Sequence, residues 1–230
     1  MNPRDPNVGL VQAVAQSLGP LCSQFVFVGG CAAGLLITDA ARPPVRATVD
    51  VDLIVEVATR AEYYSKLRKD LLQAGFTESG DVLCRWKVRG IVVDVMPTTE
   101  AILDFTNPWY EEAIRTAMQV VLPEGLAIKL IAPPLFVATK LEAFYGRGQG
   151  QYRTSHDMED IITVVDGRPE LVDEVAGASP EVRRYLEEEI LDLLETPEFL
   201  EAVPWHFHGD AESQARVPET INRLRRIARV

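Results

Sequence analysis

Cysteine is scarce in this chain, with Cys22, Cys31 and Cys84 the three in 230 residues. They are odd in number, lie far apart and form no CxxC pair. That argues against a disulfide framework and against a thiolate zinc site, and leaves three reduced thiols in or near a core. Positive charge is also short: 23 Lys and Arg face 34 Asp and Glu, a formal charge of −11. A non-specific grip on long nucleic acid comes from cations neutralising phosphates, so this balance argues against one. A small nucleotide, or an RNA end carried in by metal ions, stays open. Long apolar runs are missing as well. The longest block, from Phe25 to Ile37, is interrupted by Gly29, Gly30 and Gly34 and is too short for a membrane span. The opening MNPRDPN has neither the basic cluster nor the apolar core of a signal peptide. The expectation is a cytoplasmic protein with no membrane partner.

What is present is ordinary globular material, 47% hydrophobic and 25% charged, enough for one large domain or two small ones. The amino-terminal part reads as alternating helices and strands. Apolar spacing predicts a helix over Asn7 to Leu18, and Phe25 to Val28 reads as a strand running into Gly29 and Gly30. A helix over Cys31 to Thr38 ends at DAARPPV, whose paired prolines cannot continue it. A charged helix is expected over Arg60 to Ala74. Hairpins are expected for Val82 to Val88 with Ile91 to Met96, and for Gln119 to Leu122 with Leu126 to Ile131. After Ala132 the β-branched alternation gives way to helical periodicity. Helices are expected over Leu135 to Tyr145, from about Thr154, over Pro180 to Leu194 and over Glu219 to Ile227. The fold class is therefore α/β in the α+β sense: a mixed sheet flanked by helices over residues 1–132, then a helical lobe over 133–230.

The strand TVDVDLIVEV, Thr48 to Val57, alternates polar and apolar residues and puts Asp50, Asp52 and Glu56 on one face. A wet strand face explains such alternation. A metal site explains it equally well. Residues two apart on a strand lie about 6.5 to 7 Å apart and point the same way. Two magnesium ions about 3.5 to 4 Å apart, bound by oxygens, fit such a pair when a third carboxylate and phosphate oxygens close the shell. Asp94 in IVVDVMP is the candidate third ligand, because it shares its strand face with Val92 and Met96. Clustered carboxylates about 4 Å apart repel by roughly 4 kcal/mol at an effective dielectric near 20, so three of them need protons or cations.

FVFVGGCAAGLL places Gly29 and Gly30 where an apolar strand stops and a helix starts. Free N–H groups and a partial positive charge at a helix start suit a phosphate, and glycine permits close approach. The same pair also makes a plain tight turn. It is neither GxGxxG nor GxxxxGK[ST], so neither a dinucleotide fold nor a Walker loop is indicated.

In the carboxyl-terminal part, LFVATKLEAFY sets Lys140 between Phe136 and Phe144 at i−4 and i+4. Its ammonium either snorkels to water or reaches into a cleft to hold a nucleotide phosphate. In SHDMEDIITVV, Asp157 lies nearer the apolar face and Asp160 farther from it. Asp157 is a site acid on one reading and part of a cap begun by Thr154 or Ser155 on the other.

Strand, GG, helix, DxD on a strand and a third Asp on a later strand resemble, in that order, the minimal nucleotidyltransferases of the DNA polymerase beta superfamily. The resemblance implies that Asp50, Asp52 and Asp94 bind two Mg2+ ions and that Gly29 and Gly30 cradle the triphosphate of an NTP. The commonest form has serine after the first glycine; Gly30 stands there. ATKLEAFYGRG followed by HDMEDI resembles the AbiEii/AbiGii-type nucleotidyltransferases, toxins of type IV toxin-antitoxin pairs. That resemblance implies that Lys140 and Asp157 complete the site, and it covers about Phe25 to Val165. It implies transfer of a nucleoside monophosphate to an acceptor hydroxyl, with an RNA (tRNA) end as acceptor and an antitoxin as partner. A protein hydroxyl or an aminoglycoside-type small molecule is an alternative acceptor. A catalytically silent nucleotide-binding or partner-binding module of the same fold is a further alternative. Arg46, the loop GRGQGQYR, Arg223, Arg225, Arg226 and Arg229 are secondary candidates for phosphate or RNA contacts, against surface, linker and helix-end roles. His206 and His208 in WHFHGD lack partners for zinc and read as an ordinary loop.

Overall fold

A computed structural model describes residues 5–57, 59–80, 82–103, 106–148 and 150–230. By contact density the chain divides into two compact units. One holds Asp5–Ala32 and Arg46–Ala132; the other holds Ala33–Val45 and Pro133–Val230.

The first unit is built on a mixed seven-stranded sheet in the order β3-β4-β5-β2-β1-β7-β6. The strands are β1 (Phe25–Val28), β2 (Asp50–Val55), β3 (Thr77–Glu78), β4 (Arg85–Val88), β5 (Ile91–Pro97), β6 (Met118–Val121) and β7 (Ala127–Leu130). β2 runs parallel to β5 and antiparallel to β1, and β1 runs parallel to β7. The two expected hairpins form, β4 with β5 and β6 with β7. The first turns on Arg89 (φ 51°) and Gly90 (φ 81°), the paired positive angles that a two-residue hairpin of matching twist demands. β4 starts at Arg85, later than the expected Val82. A turn precedes it, in which the Arg85 N–H donates to the Val82 carbonyl.

Alternation in the sequence becomes sidedness in the sheet. Val51, Leu53, Val93 and Val95 are fully buried on one face, while Asp50, Asp52 and Asp94 are half-buried on the other. Ile54 breaks the pattern, being fully buried on the acid-bearing face, and Glu56 falls beyond the strand and is exposed. The helix Val8–Leu18 buries Val11, Val14, Ala15 and Leu18. All three cysteines are free and buried, as their apolar settings imply.

The second unit is helical. Pro133 and Pro134 open the helix Pro133–Ala143, where a missing N–H costs nothing in the first turn. The helix His156–Gly167 is capped by Ser155, whose hydroxyl accepts from the N–H groups of Asp157 and Met158. Packed on both sides, it is buried along nearly its whole length. Pro180–Glu195 and Val217–Ile227 complete the amphipathic set, each burying a stripe at three- and four-residue spacing. Among the described residues no helix is long and apolar enough to cross a membrane.

Candidate active site

The register of the sheet assembles the acids. Val28 on β1 lies opposite Asp52 on β2, Asp52 opposite Asp94 on β5, and Asp94 opposite Arg85 on β4. Residues that face each other across adjacent strands share a sheet face. One transverse row therefore carries Asp52, Asp94 and Arg85, and the row beside it runs Asp50, Val92 and Lys87. β2 and β5 supply carboxylates to this face, and β4 supplies the cations Arg85 and Lys87.

Gly29 closes one end of the row. It follows Val28 directly, has a positive φ of 66°, and opens the helix Gly29–Leu36. A Cβ placed on it would lie 1.8 Å from Oδ2 of Asp52 and 2.6 Å from its Cγ. The group that needs this glycine to be bare is thus the Asp52 carboxylate. In the sequence alone, a bare glycine at this turn suggests room for a phosphate. Gly30 is buried in the first turn of the same helix.

Asp94 is engaged at the other end. Arg85 donates from Nε to Oδ1 at 2.9 Å and from Nη2 to Oδ2 at 2.8 Å, a two-pronged fork. This fork, with Asp50 contributing at longer range, holds the Arg85 guanidinium above its ordinary pKa. Buried Cys84 records the same charge: burial first, then Asp94, with Asp52 a smaller contributor, push its thiol up.

Carboxylate oxygens are the hard donors that Mg2+ takes. Asp50 and Asp52 fit that chemistry from one strand, and Asp94 fits it once its oxygens are released by Arg85. As they stand, no group of three His, Cys, Asp or Glu side chains among the described residues is arranged to hold a metal ion. Arg46 contributes its carbonyl to the Asn7 amide at 3.0 Å.

The second unit has its own charge cluster. Lys140, 7% exposed, lies 3.1 Å from Asp157 and 2.6 Å from Asp160. Asp160 was expected to point away from the apolar face. It is instead buried to the same 3% exposure as Asp157, because the helix carrying both is covered on more than one side. Arg147 adds a fork onto Asp157, Nε to Oδ2 at 2.9 Å and Nη2 to Oδ1 at 2.8 Å, while most of its side chain stays in solvent. Burial by itself would raise the pKa of Asp157, but Arg147 and Lys140 together outweigh it and hold the carboxyl below its usual range. The cap is made by Ser155, so the Asp157 side chain is committed to Lys140 and Arg147.

A second buried cluster has no local signature in the sequence, its members lying far apart along the chain. Asp166 accepts from Arg42 Nε at 3.0 Å, Arg216 Nε at 2.9 Å and Thr220 Oγ1 at 3.2 Å, and Arg216 also reaches Asp39 at 2.6 Å. Arg223 donates to the carbonyls of Val165 and Asp166. It completes a helix end, one of the two roles open to it. Arg225, Arg226 and Arg229 are exposed. His206 bonds the Tyr152 carbonyl through Nε2 at 2.8 Å, and burial lowers its pKa. Gln149, inside GRGQGQYR, lies outside the described residues.

No family model and no curated protein matches the chain. Solved structures do. An antigenic nucleotidyltransferase-like protein from Paracoccidioides brasiliensis matches with a TM-score of 0.52 at 23% identity, over 88% of this chain and 94% of that one. ANT(2")-Ia, solved in complex with adenylyl-2"-tobramycin, matches with a TM-score of 0.41 at 14% identity, over 77% of this chain and 93% of that one. An H. pylori protein carrying the nucleotidyltransferase name matches with a TM-score of 0.45 at 11% identity, over 99% and 96%. The first, above 0.5, bears on fold: the α/β architecture here is one found in a nucleotidyltransferase-like protein.

Proposed function

We propose that the protein is a magnesium-dependent nucleotidyltransferase that moves a nucleoside monophosphate from an NTP to an acceptor hydroxyl. The observation that carries this reading is the transverse row of Asp52 and Asp94, flanked by Asp50 and closed by Gly29 at a strand-to-helix turn. Acids on a structural strand face need no such register, and no bare glycine beside them.

Asp50, Asp52 and Asp94 are the residues that would hold Mg2+. When bound, the cations supply charge neutralisation of the phosphates and a lowered pKa for the acceptor hydroxyl. Gly29 and Gly30 leave the turn without side chains, so phosphate oxygens meet backbone N–H groups there. The acceptor oxygen attacks the α-phosphorus, the bond to the bridging oxygen breaks, and pyrophosphate leaves in line. Asp94, freed of Arg85, takes the hydroxyl proton. Lys140 and Asp157 orient one another, and Asp157 in turn fixes Arg147 at the surface of its unit.

For the acceptor, the motif pair ATKLEAFYGRG and HDMEDI supports an RNA end such as that of tRNA, in a toxin-like enzyme with a cognate antitoxin. Charge favours a second reading. With a formal charge of −11 and Arg223 spent on helix carbonyls, a small cationic acceptor of the aminoglycoside type meets less repulsion than RNA. Incubation with NTPs labelled at the α-phosphate, Mg2+ and separate pools of tRNA, protein and aminoglycosides decides between them. Label in the tRNA pool supports the first reading, label on a small molecule the second. Nucleotide binding with no transfer to any pool would make the chain a silent module of the same fold.

A further inference from the structure

The fork between Arg85 and Asp94 occupies both oxygens of the carboxylate that the proposed reaction needs as a metal ligand. Arg85 is 39% exposed and Asp94 14% exposed, so of the two Arg85 is the partner more open to solvent. Asp50 acts on the same guanidinium at longer range. A carboxylate keeps unused lone pairs beside such a fork. A divalent cation on one of them, however, would sit against a fixed positive charge a few ångströms away and be repelled.

We infer that Arg85 is the metal's competitor: it neutralises Asp94 in the metal-free chain and must release it for a divalent cation to bind there. The inference rests on the assignment of Asp50, Asp52 and Asp94 as metal ligands. Arg85 is therefore a positioning residue, acting through Asp94. It serves two ends. It removes the repulsion between Asp52 and Asp94 while no cation is present, and it sets a threshold that metal, or metal with its nucleotide, must exceed before the site assembles.

Mn2+ alone, titrated into the full chain without nucleotide and followed by the electron paramagnetic resonance signal of free Mn2+, tests this without reference to activity. Arg85→Gln is expected to bind Mn2+ about three- to tenfold more tightly than the native chain, tenfold being about 1.4 kcal/mol. Arg85→Lys keeps a charge but loses the fork and should fall between; it also serves if the Gln variant does not fold. Melting should show the complementary effect, a lower Tm for Arg85→Gln without metal and a larger rise on adding Mn2+. Unchanged or weaker Mn2+ binding in both variants, with Asp52→Ala still abolishing it, overturns the role of Arg85 and leaves the metal site standing. Absence of Mn2+ binding in the native chain and in every variant overturns the role and the metal site together.

Discussion

A Cβ on Gly29 would stand 1.8 Å from Oδ2 of Asp52, and no L side chain fits in that space without moving the acid. The cause lies in the register. Val28 pairs with Asp52, so the first residue past β1 lies beside the carboxylate on β2. Its φ of 66° makes the same demand through the backbone. Gly29→Ala is expected to lower stability by about 1 to 2 kcal/mol from the positive φ alone, with a further penalty from the clash. In an Asp52→Ala background the contacts with Oδ2 and Cγ vanish while the 2.8 Å contact with Cβ stays, so that further penalty should shrink without disappearing, which a double-mutant cycle by urea unfolding would read. Strict additivity would show that the two residues do not touch.

Replacing Asp50, Asp52 or Asp94 singly by Ala should each reduce nucleotidyl transfer by about a hundredfold or more, because several kcal/mol of charge stabilisation depend on the ligands acting together. Stability should respond differently. Asp94→Ala strands the Arg85 guanidinium, but at 39% exposure it rehydrates, and the loss of the pair should cost no more than about 1 kcal/mol. Comparing transfer rate with Tm for the same variants separates ligand from scaffold.

The Lys140 cluster makes the opposite prediction. Lys140→Met removes the ammonium shared by Asp157 and Asp160, each 3% exposed, and leaves the Arg147 fork on Asp157; breaking a buried pair costs about 3 to 5 kcal/mol. Collapse of cooperative unfolding or a fall in Tm of many degrees is expected. Asp157→Asn tests the charge itself. Because the native carboxyl is held below its usual range, the unfolded chain binds more protons on acidification, so this stabilisation is complete above the ordinary Asp value of about 3.9 and is lost as pH falls through the native value. The stability difference between native chain and Asp157→Asn should be constant near neutrality and shrink below about pH 4. A difference that grew on acidification would show that the charge is not what matters.

Asp166 anchors Arg42 and Arg216 in its unit, with the Thr220 hydroxyl as a third donor. Asp166→Asn removes the anion and leaves two guanidinium groups short of an acceptor. A loss of about 3 kcal/mol is expected in urea titration, against a far smaller one for an exposed pair such as Arg68 with Glu78.

Much of this was legible in the residues. The alternation of TVDVDLIV gave the acid-bearing face, and the Arg89 and Gly90 turn placed Asp94 on a strand of a hairpin. What the chain could not disclose was lateral neighbours. That β2 lies beside β5 and in parallel, so that Asp52 meets Asp94, is a matter of sheet order and not of local pattern. Arg85 was missed for the same reason, although an Arg in a hairpin strand opposite an acid is a readable signal once the turn is fixed. Asp160 was misjudged because a helical wheel assumes one wet side, and this helix has hardly any. Asp166, Arg42 and Arg216 are separated by long stretches of chain, and only tertiary folding brings them together. The short helices Leu171–Ala176 and Pro197–Ala202 carried too few turns to show a period.

The most direct test is anomalous diffraction from crystals of the chain with Mn2+ and an NTP that cannot be cleaved at the α-phosphate. The account predicts manganese peaks about 2.1 Å from oxygens of Asp50, Asp52 and Asp94, with phosphates beside Gly29 and Arg85 turned away from Asp94. Manganese bound elsewhere, with the Arg85 fork intact and the triphosphate absent from that face of the sheet, would contradict it.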